Sequence, residues 1–161
     1  MSRLQEKQSY NVTQEGSLRK IDTHSFFERM IILKFTYTHD DAFETEFDYG
    51  TLTVSGDETK GYRPFQLMVS SIAVCSASVL RKVLEKKRVT ISDMSVEAEV
   101  ERDPNRANRL THIALHYKVV SPDADEKKVG QAVGMAHKNC PMAQTVEDSV
   151  SIEETFELIQ E

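Results

Sequence analysis

The feature that most constrains this chain is one long run with helical periodicity, from Pro64 to about Lys87. Val69, Ile72, Ala73, Ser76, Val79, Leu80, Val83 and Leu84 recur at i, i+3, i+4 and i+7, the spacing that lines up one face of an α-helix. Pro64 suits the first turn, where the N–H that proline lacks would have no partner. At 1.5 Å per residue such a helix exceeds roughly 30 Å, the length of a small domain's spine. Its apolar stripe requires other elements to cover it. The basic residues at its end, Arg81-Lys82 and Lys86-Lys87-Arg88, complement the negative pole of the helix dipole.

The flanking segments supply candidates for that cover. Ile31–Tyr37 (IILKFTY) is apolar and β-rich, His39-Asp40-Asp41 reads as a turn, and Ala42–Phe47 alternates like a strand. Asp48-Tyr49-Gly50 is a second turn and Thr51–Val54 a short β-branched strand, so three strands form an antiparallel meander. A polar loop, Ser55–Arg63, leads into the helix. Beyond it, Met94–Glu101 alternates with Met94, Val96, Ala98 and Val100 on one face, and Leu110–Val120 returns after the turn Asp103-Pro104-Asn105. That is a hairpin. Ser121-Pro122-Asp123 marks a helix start, and Glu126 to His137 repeats a helical pattern with Val129, Val133 and Ala136 inward. Gly130 and Gly134 allow close approach of another backbone. Pro141 interrupts or restarts this helix, and Ser149–Ile159 is a last strand. The order βββ-α-ββ-α-β predicts an α+β fold with antiparallel sheets around two long central helices. Residues 1–29 are polar and weakly periodic, and read as an N-terminal extension to a domain over 30–161.

Composition narrows the function. A chain of 161 residues fits one domain. With a net charge of −6 and 29% charged residues, it lacks the clustered cations that nucleic acid or an anionic membrane surface would require. No apolar stretch reads as a membrane span, and no signal-peptide core occurs near the start. The expected compartment is the cytoplasm, where two cysteines are reduced thiols rather than a structural staple.

Those cysteines carry the chemical argument. Cys75 lies mid-helix, between Ile72 and Val79, at an edge of the apolar stripe. In Asn139-Cys140-Pro141-Met142, Pro141 suits the first residue of a short new helix, which places Cys140 at its N-cap. A thiolate there faces the positive helix end, and such positions lower thiol pKa. Activation of Cys75 has to come from neighbours in space, with Arg63 and Lys138 as candidates. A cysteine in an apolar stripe is more often packing, so the residues alone define a plausible dithiol and no more. His137-x2-Cys140 also has ligand-like spacing, with Cys75, His112 or His116 able to complete a metal set. One such pair does not define a site, and no metal or other cofactor is expected. A nucleophile elbow and a Gly-rich phosphate loop are both missing.

The run Gly61-Tyr62-Arg63-Pro64-Phe65-Gln66-Leu67-Met68, continuing to Ala73-Val74-Cys75, resembles the cysteine helix of the OsmC/Ohr family. His137-Lys138-Asn139-Cys140-Pro141-Met142 resembles that family's second cysteine motif, and the resemblance extends over about Ile31 to Glu161. It implies an intertwined homodimer with the cysteine helices at its centre. It also implies peroxidase chemistry: Cys75 attacks an organic hydroperoxide, Cys140 resolves the product to a disulfide, and a cellular dithiol restores both. Two departures stand out. The family's peroxidases carry a Glu ten residues before the first cysteine, where this chain has Phe65, and an Arg between the first two strands, where it reads Thr38-His39-Asp40-Asp41. The chain thus resembles a divergent branch lacking the Arg–Glu pair, with Arg63, Phe65 and Gln66 as expected substrate-binding residues. A small-molecule-binding or redox-sensing protein without turnover is the alternative, its apolar pocket lying beside Cys75 with Phe65 in its wall.

Overall fold

The computed structural model describes residues 10–12, 18–20 and 32–160. The chain divides into two units, Met1–Thr36 and Tyr37–Glu161. In the first, β1 (Tyr10–Val12) and β2 (Leu18–Lys20) form a short antiparallel hairpin. The strand expected over Ile31–Tyr37 is realised only as β3 (Thr36–Tyr37), while residues 32–35 are not in a strand and Ile31 lies outside the described residues. High β-propensity makes a strand only where a partner accepts its hydrogen bonds.

In the second unit β4 (Ala42–Phe47) and β5 (Gly50–Ser55) pair antiparallel, Ala42 opposite Ser55 and Phe47 opposite Gly50. They form a three-stranded sheet of order β3-β4-β5. The chain then passes so close to β5 that a Cβ at Gly61 would lie 2.9 Å from the Thr53 carbonyl oxygen. Only glycine fits there. Tyr62 in turn donates its N–H to Thr53 (3.0 Å) and accepts from Ser55 (3.1 Å), which fixes where the long helix begins.

That helix, α1 (Pro64–Lys86), has Pro64 at its first position. Its N-terminus is held by Gln66, whose side-chain oxygen accepts the Arg63 N–H at 3.2 Å. At its end Arg88 adopts φ 59°, Arg88 N–H bonds to the Glu85 carbonyl (2.9 Å), and Val89 N–H to Leu84 (3.0 Å). This is a Schellman closure with arginine in the left-handed position that glycine usually holds. Leu84 and Val89 are both buried in the core, so the apolar contact that accompanies such a closure is present. The predicted stripe is realised: Val69, Ile72, Ala73, Ser76, Leu80 and Leu84 are buried. By length and composition α1 is also long and apolar enough to cross a membrane, which corrects the reading that no segment is. In this fold its apolar face builds the core.

The partner sheet comprises β6 (Asp93–Asp103), β7 (Arg109–Val120) and β8 (Ser151–Ile159) in that order. β6 and β7 form the expected antiparallel hairpin, with a register shift at Glu101/Arg102. β8 pairs with β7 in parallel, not antiparallel as predicted. The cause is the connection: α2 (Glu126–Asn139) and α3 (Pro141–Val146) return the chain to the same end of the sheet, as a helical crossover must for a parallel pair. α2 starts later than Ser121-Pro122-Asp123 suggests, because Asp125 is its N-cap, accepting Lys128 N–H at 2.8 Å. Asp123 instead accepts from Thr90 N–H and hydroxyl at 2.9 and 2.8 Å. Ile113, Leu115, Tyr117 and Val119 of β7 meet Val129, Ala132 and Ala136 of α2 and the α1 stripe in one core. Gly130 faces the Phe156 ring, and a Cβ there would meet it at 3.4 Å, whereas Gly134 has open space. The close approach anticipated at both glycines is therefore to one side chain, at one of them.

Candidate dithiol site

α1 and the α2–α3 junction bring the cysteines together. Cys140 caps α3, its Sγ accepting the Ala143 N–H at 3.4 Å, as Pro141 at the first helical position predicts. It is fully buried, and Cys75 is half-buried. The Cys75 thiol is close enough to influence the titration of Cys140. Both are free.

The direction of the Cys140 pKa reverses the expectation from its cap position. Burial pushes the thiol up, and the Cys75 thiol pushes it further the same way, against the lowering from the Ala143 and Met142 N–H groups. A six-residue helix has too few aligned peptides to outweigh desolvation of a fully buried anion. Cys140 therefore holds its proton. Neither Arg63 nor Lys138 nor the carboxylates of Asp40 and Asp41 are among the groups acting on it. Those two aspartates are tied to Lys60 at 3.1 and 3.4 Å.

Arg63, Phe65 and Gln66 are not brought to Cys75 within one chain. Ten residues of helix separate Phe65 from Cys75, about 15 Å along the axis. Phe65, Val69 and Ala73 line one face of α1 and, with Gln66, Val74, Val96 and Val100, border a cavity of about 660 Å³ that Cys75 does not reach. The pocket expected beside Cys75 is thus displaced around the helix, since two residues beyond Ala73 turn a side chain by roughly 200°. Gln66 is engaged in capping. Phe65 sits between two guanidinium groups, Arg63 at 5.0 Å and Arg102 at 4.6 Å from its ring centre, a cation–π arrangement. Arg63 also lies 3.8 Å from Glu58. A further cleft, of about 410 Å³, which neither cysteine lines, is walled by Val79, Val83 and Met135 and rimmed by Lys82, Lys86, Lys87 and Asn139. Val79 is one turn from Cys75, and Asn139 precedes Cys140.

The metal set is not assembled. His112 and His116 do share a strand face, but it is opposite the buried face that carries Tyr117. His116 Nδ1 lies 2.9 Å from Thr155 Oγ1 and His112 3.9 Å from Glu153. Among the described residues no three His, Cys, Asp or Glu side chains group as a metal site.

One cluster escaped the sequence reading. Tyr117 Oη lies 2.8 Å from both Ser76 Oγ and Glu154 Oε1, Ser76 donates to Glu154 at 2.7 Å, and His137 Nδ1 lies 3.4 Å from Glu154 Oε2. Burial, chiefly, pushes the Tyr117 phenol well above its ordinary range, and the Cys140 charge adds to that. The signal was available: Glu154 occupies an inward position between Ile152 and Phe156 of an alternating strand, and Tyr117 one between Leu115 and Val119.

Helices packed over a mixed sheet, with one buried and one more exposed free cysteine where α1 meets the α2–α3 junction, define an α+β protein with two free thiols. The chain belongs to the OsmC-like protein family, whose model matches residues 56–155. It is 24% identical over 91 residues to a hydroperoxide reductase of Mycoplasma pneumoniae, a match that takes in 55% of this chain and 64% of that protein. The fold is similar to that of a hypothetical protein from Aquifex aeolicus, with a TM-score of 0.74 at 22% identity over 83% of this chain and 98% of the other. An OsmC-like protein from Mycoplasma pneumoniae superposes with a TM-score of 0.71 at 18% identity, over 82% and 99% of the two chains.

Proposed function

We propose that the protein is a thiol-dependent hydroperoxide reductase-like enzyme in which Cys75 attacks the peroxide and Cys140 resolves. The single observation that carries this reading is the asymmetry of the pair: Cys75 is the accessible member, and Cys140 is buried, with its thiol pushed up by burial and by Cys75. The Cys75 thiolate takes the distal oxygen of ROOH, the O–O bond breaks, and the alkoxide leaves as ROH after protonation. Cys140 Sγ then bonds to the Cys75 sulfenic sulfur, and its proton leaves with the hydroxide as water. An external dithiol reduces the disulfide and is itself oxidised to a disulfide. The working form is a homodimer, which the exposed apolar side chains on α1, Met68 and Val74, support.

A second reading rests on Phe65. An aromatic ring between two arginines, bordering a large apolar cavity, suits a small apolar ligand bound without turnover, and Arg63, Phe65 and Gln66 would be its contacts. One experiment separates the two. Thiols are counted by stopped flow after one equivalent of an organic hydroperoxide is added to wild type, Cys75→Ser and Cys140→Ser. Loss of two thiols per peroxide, abolished in Cys75→Ser and leaving a trappable sulfenic acid in Cys140→Ser, is the expected result. Loss no faster than that of free cysteine would sink the peroxidase reading and favour the ligand-binding one.

A further inference from the structure

The cleft between the second half of α1 and α2 takes no part in the thiol chemistry above, and its charge is unlike that of the chain around it. Val79 and Val83, one turn apart on α1, line it with Met135 and Asn139, one turn apart on α2. Its 410 Å³ falls in the range of small-molecule sites, about 300–1,000 Å³. Met135 is 45% exposed, so apolar surface stands open to solvent. Lys82, Lys86 and Lys87 rim the opening. Among the described residues none of the three is paired with a carboxylate, whereas Arg81 on the same helix is paired with Glu85. Lys87 Nζ donates to Gln131 Oε1 at 3.3 Å, a neutral partner that leaves its charge uncompensated. The helix dipole accounts for Lys86 and Lys87 at the end of α1 but not for Lys82, because the effect fades beyond the last turn. Like charges at i and i+4 also destabilise a helix, and Lys82 and Lys86 have that spacing. A chain of net charge −6 has carboxylates to spare, yet puts none here.

We propose that this cleft binds a small amphipathic anion, an aliphatic chain ending in a phosphate monoester. The tail lies against Val79, Val83 and Met135, and the lysines hold the head. A phosphate monoester carries a charge of about −1.5 to −2 and three acceptor oxygens at neutral pH, which matches several ammonium groups better than a single carboxylate does. Lysine binds phosphate as a point charge, whereas the planar fork that grips a carboxylate at two points belongs to arginine, and no arginine lines the cleft. Asn139 Nδ2 donates to the Met135 carbonyl at 2.7 Å, which fixes the wall at the end away from Lys87. From Val79 to Lys87 is eight residues of helix, roughly 12 Å, and that length sets the reach of the tail. Neither cysteine lines the cleft, so the inference does not rest on the dithiol reading.

The test is calorimetric titration of the full-length, reduced protein with octyl phosphate, below its micelle concentration and at low ionic strength, where surface charges are least screened. Saturable binding of one equivalent per chain is expected. Butyl phosphate should bind at least about tenfold more weakly, since each buried CH₂ contributes up to about fourfold. Lys82→Met combined with Lys86→Met should weaken octyl phosphate about tenfold, a few-fold for each exposed charge. Arg81→Met removes a neighbouring charge outside the cleft and should leave the affinity unchanged. Met135→Glu, at an exposed position, sets a carboxylate in the tail wall and should abolish binding with an unchanged melting temperature. Absence of saturable binding would overturn the proposal, as would equal affinity for the butyl ester or the same loss in Arg81→Met as in the lysine pair. Binding confined to phosphatidylglycerol vesicles, with no uptake of the monomeric ester, would overturn it too, because a membrane surface needs the lysines and not the cleft.

Discussion

Two cysteines of the same chain differ here because their surroundings differ. Cys140 is enclosed by α1, α2 and its own helix start, and its anion would lose its water without gaining a cation. Cys75 keeps an open side. Alkylation by iodoacetamide at pH 8 should therefore modify Cys75 at least about tenfold faster than Cys140, read by peptide mass spectrometry; equal rates would refute the asymmetry. The same shift has a stability consequence. A thiol whose folded pKa lies above its unfolded value of about 8.5 favours the folded state fully below that pH. The contribution disappears as pH rises through the folded value. The melting temperature should accordingly fall more steeply above about pH 9 in wild type than in Cys140→Ser. At position 65 the aromatic ring meets the guanidinium groups of Arg63 and Arg102.

Among the elements, α1 does most to position the site. Its stripe fixes the helix against the sheet, and the same geometry decides which residues miss the dithiol, since ten residues of helix hold Phe65 about 15 Å along the axis from Cys75. Leu80 is fully buried one turn beyond Ser76, and Leu80→Ala should destabilise by about 2–5 kcal/mol through lost burial and the cavity left behind. Gly134 of α2 gives the opposite sign. With nothing within 4 Å of its missing Cβ, Gly134→Ala should stabilise by about 0.5–1 kcal/mol. Urea titrations of the two variants measure both, and a destabilising Gly134→Ala would mean that α2 needs flexibility there. The α2–α3 break matters as much as the helices do, because Pro141 restarts the helix where Cys140 can cap it and face α1.

For the whole molecule, the apolar surface left on α1 is the telling feature. Val74 is 60% exposed and Met68 39%, while Phe65, Val69 and Ala73 border the large cavity beside them. A second copy covering this face would bury them. Light scattering after size exclusion should give the mass of two chains for wild type and one for Val74→Asp, because an unpaired carboxylate cannot be buried across an interface. A monomeric wild type would refute the dimer.

The sequence by itself determined the order of elements beyond residue 30 but not the β1–β2 hairpin, along with the α1 stripe, the hairpin of β6 and β7 and the place of Cys140 at a helix start. Each follows from local periodicity or from proline's fixed geometry, which act over a few residues. Only the tertiary structure decided that β8 runs parallel to β7, that Cys140 is raised rather than lowered, that Phe65 borders a cavity Cys75 does not line, and that Ser76, Tyr117, Glu154 and His137 meet. Those four residues lie on four different elements, and desolvation depends on what surrounds a group in space. Neither quantity has a local signature, apart from polar residues standing at inward positions, so chain connectivity and packing had to settle both.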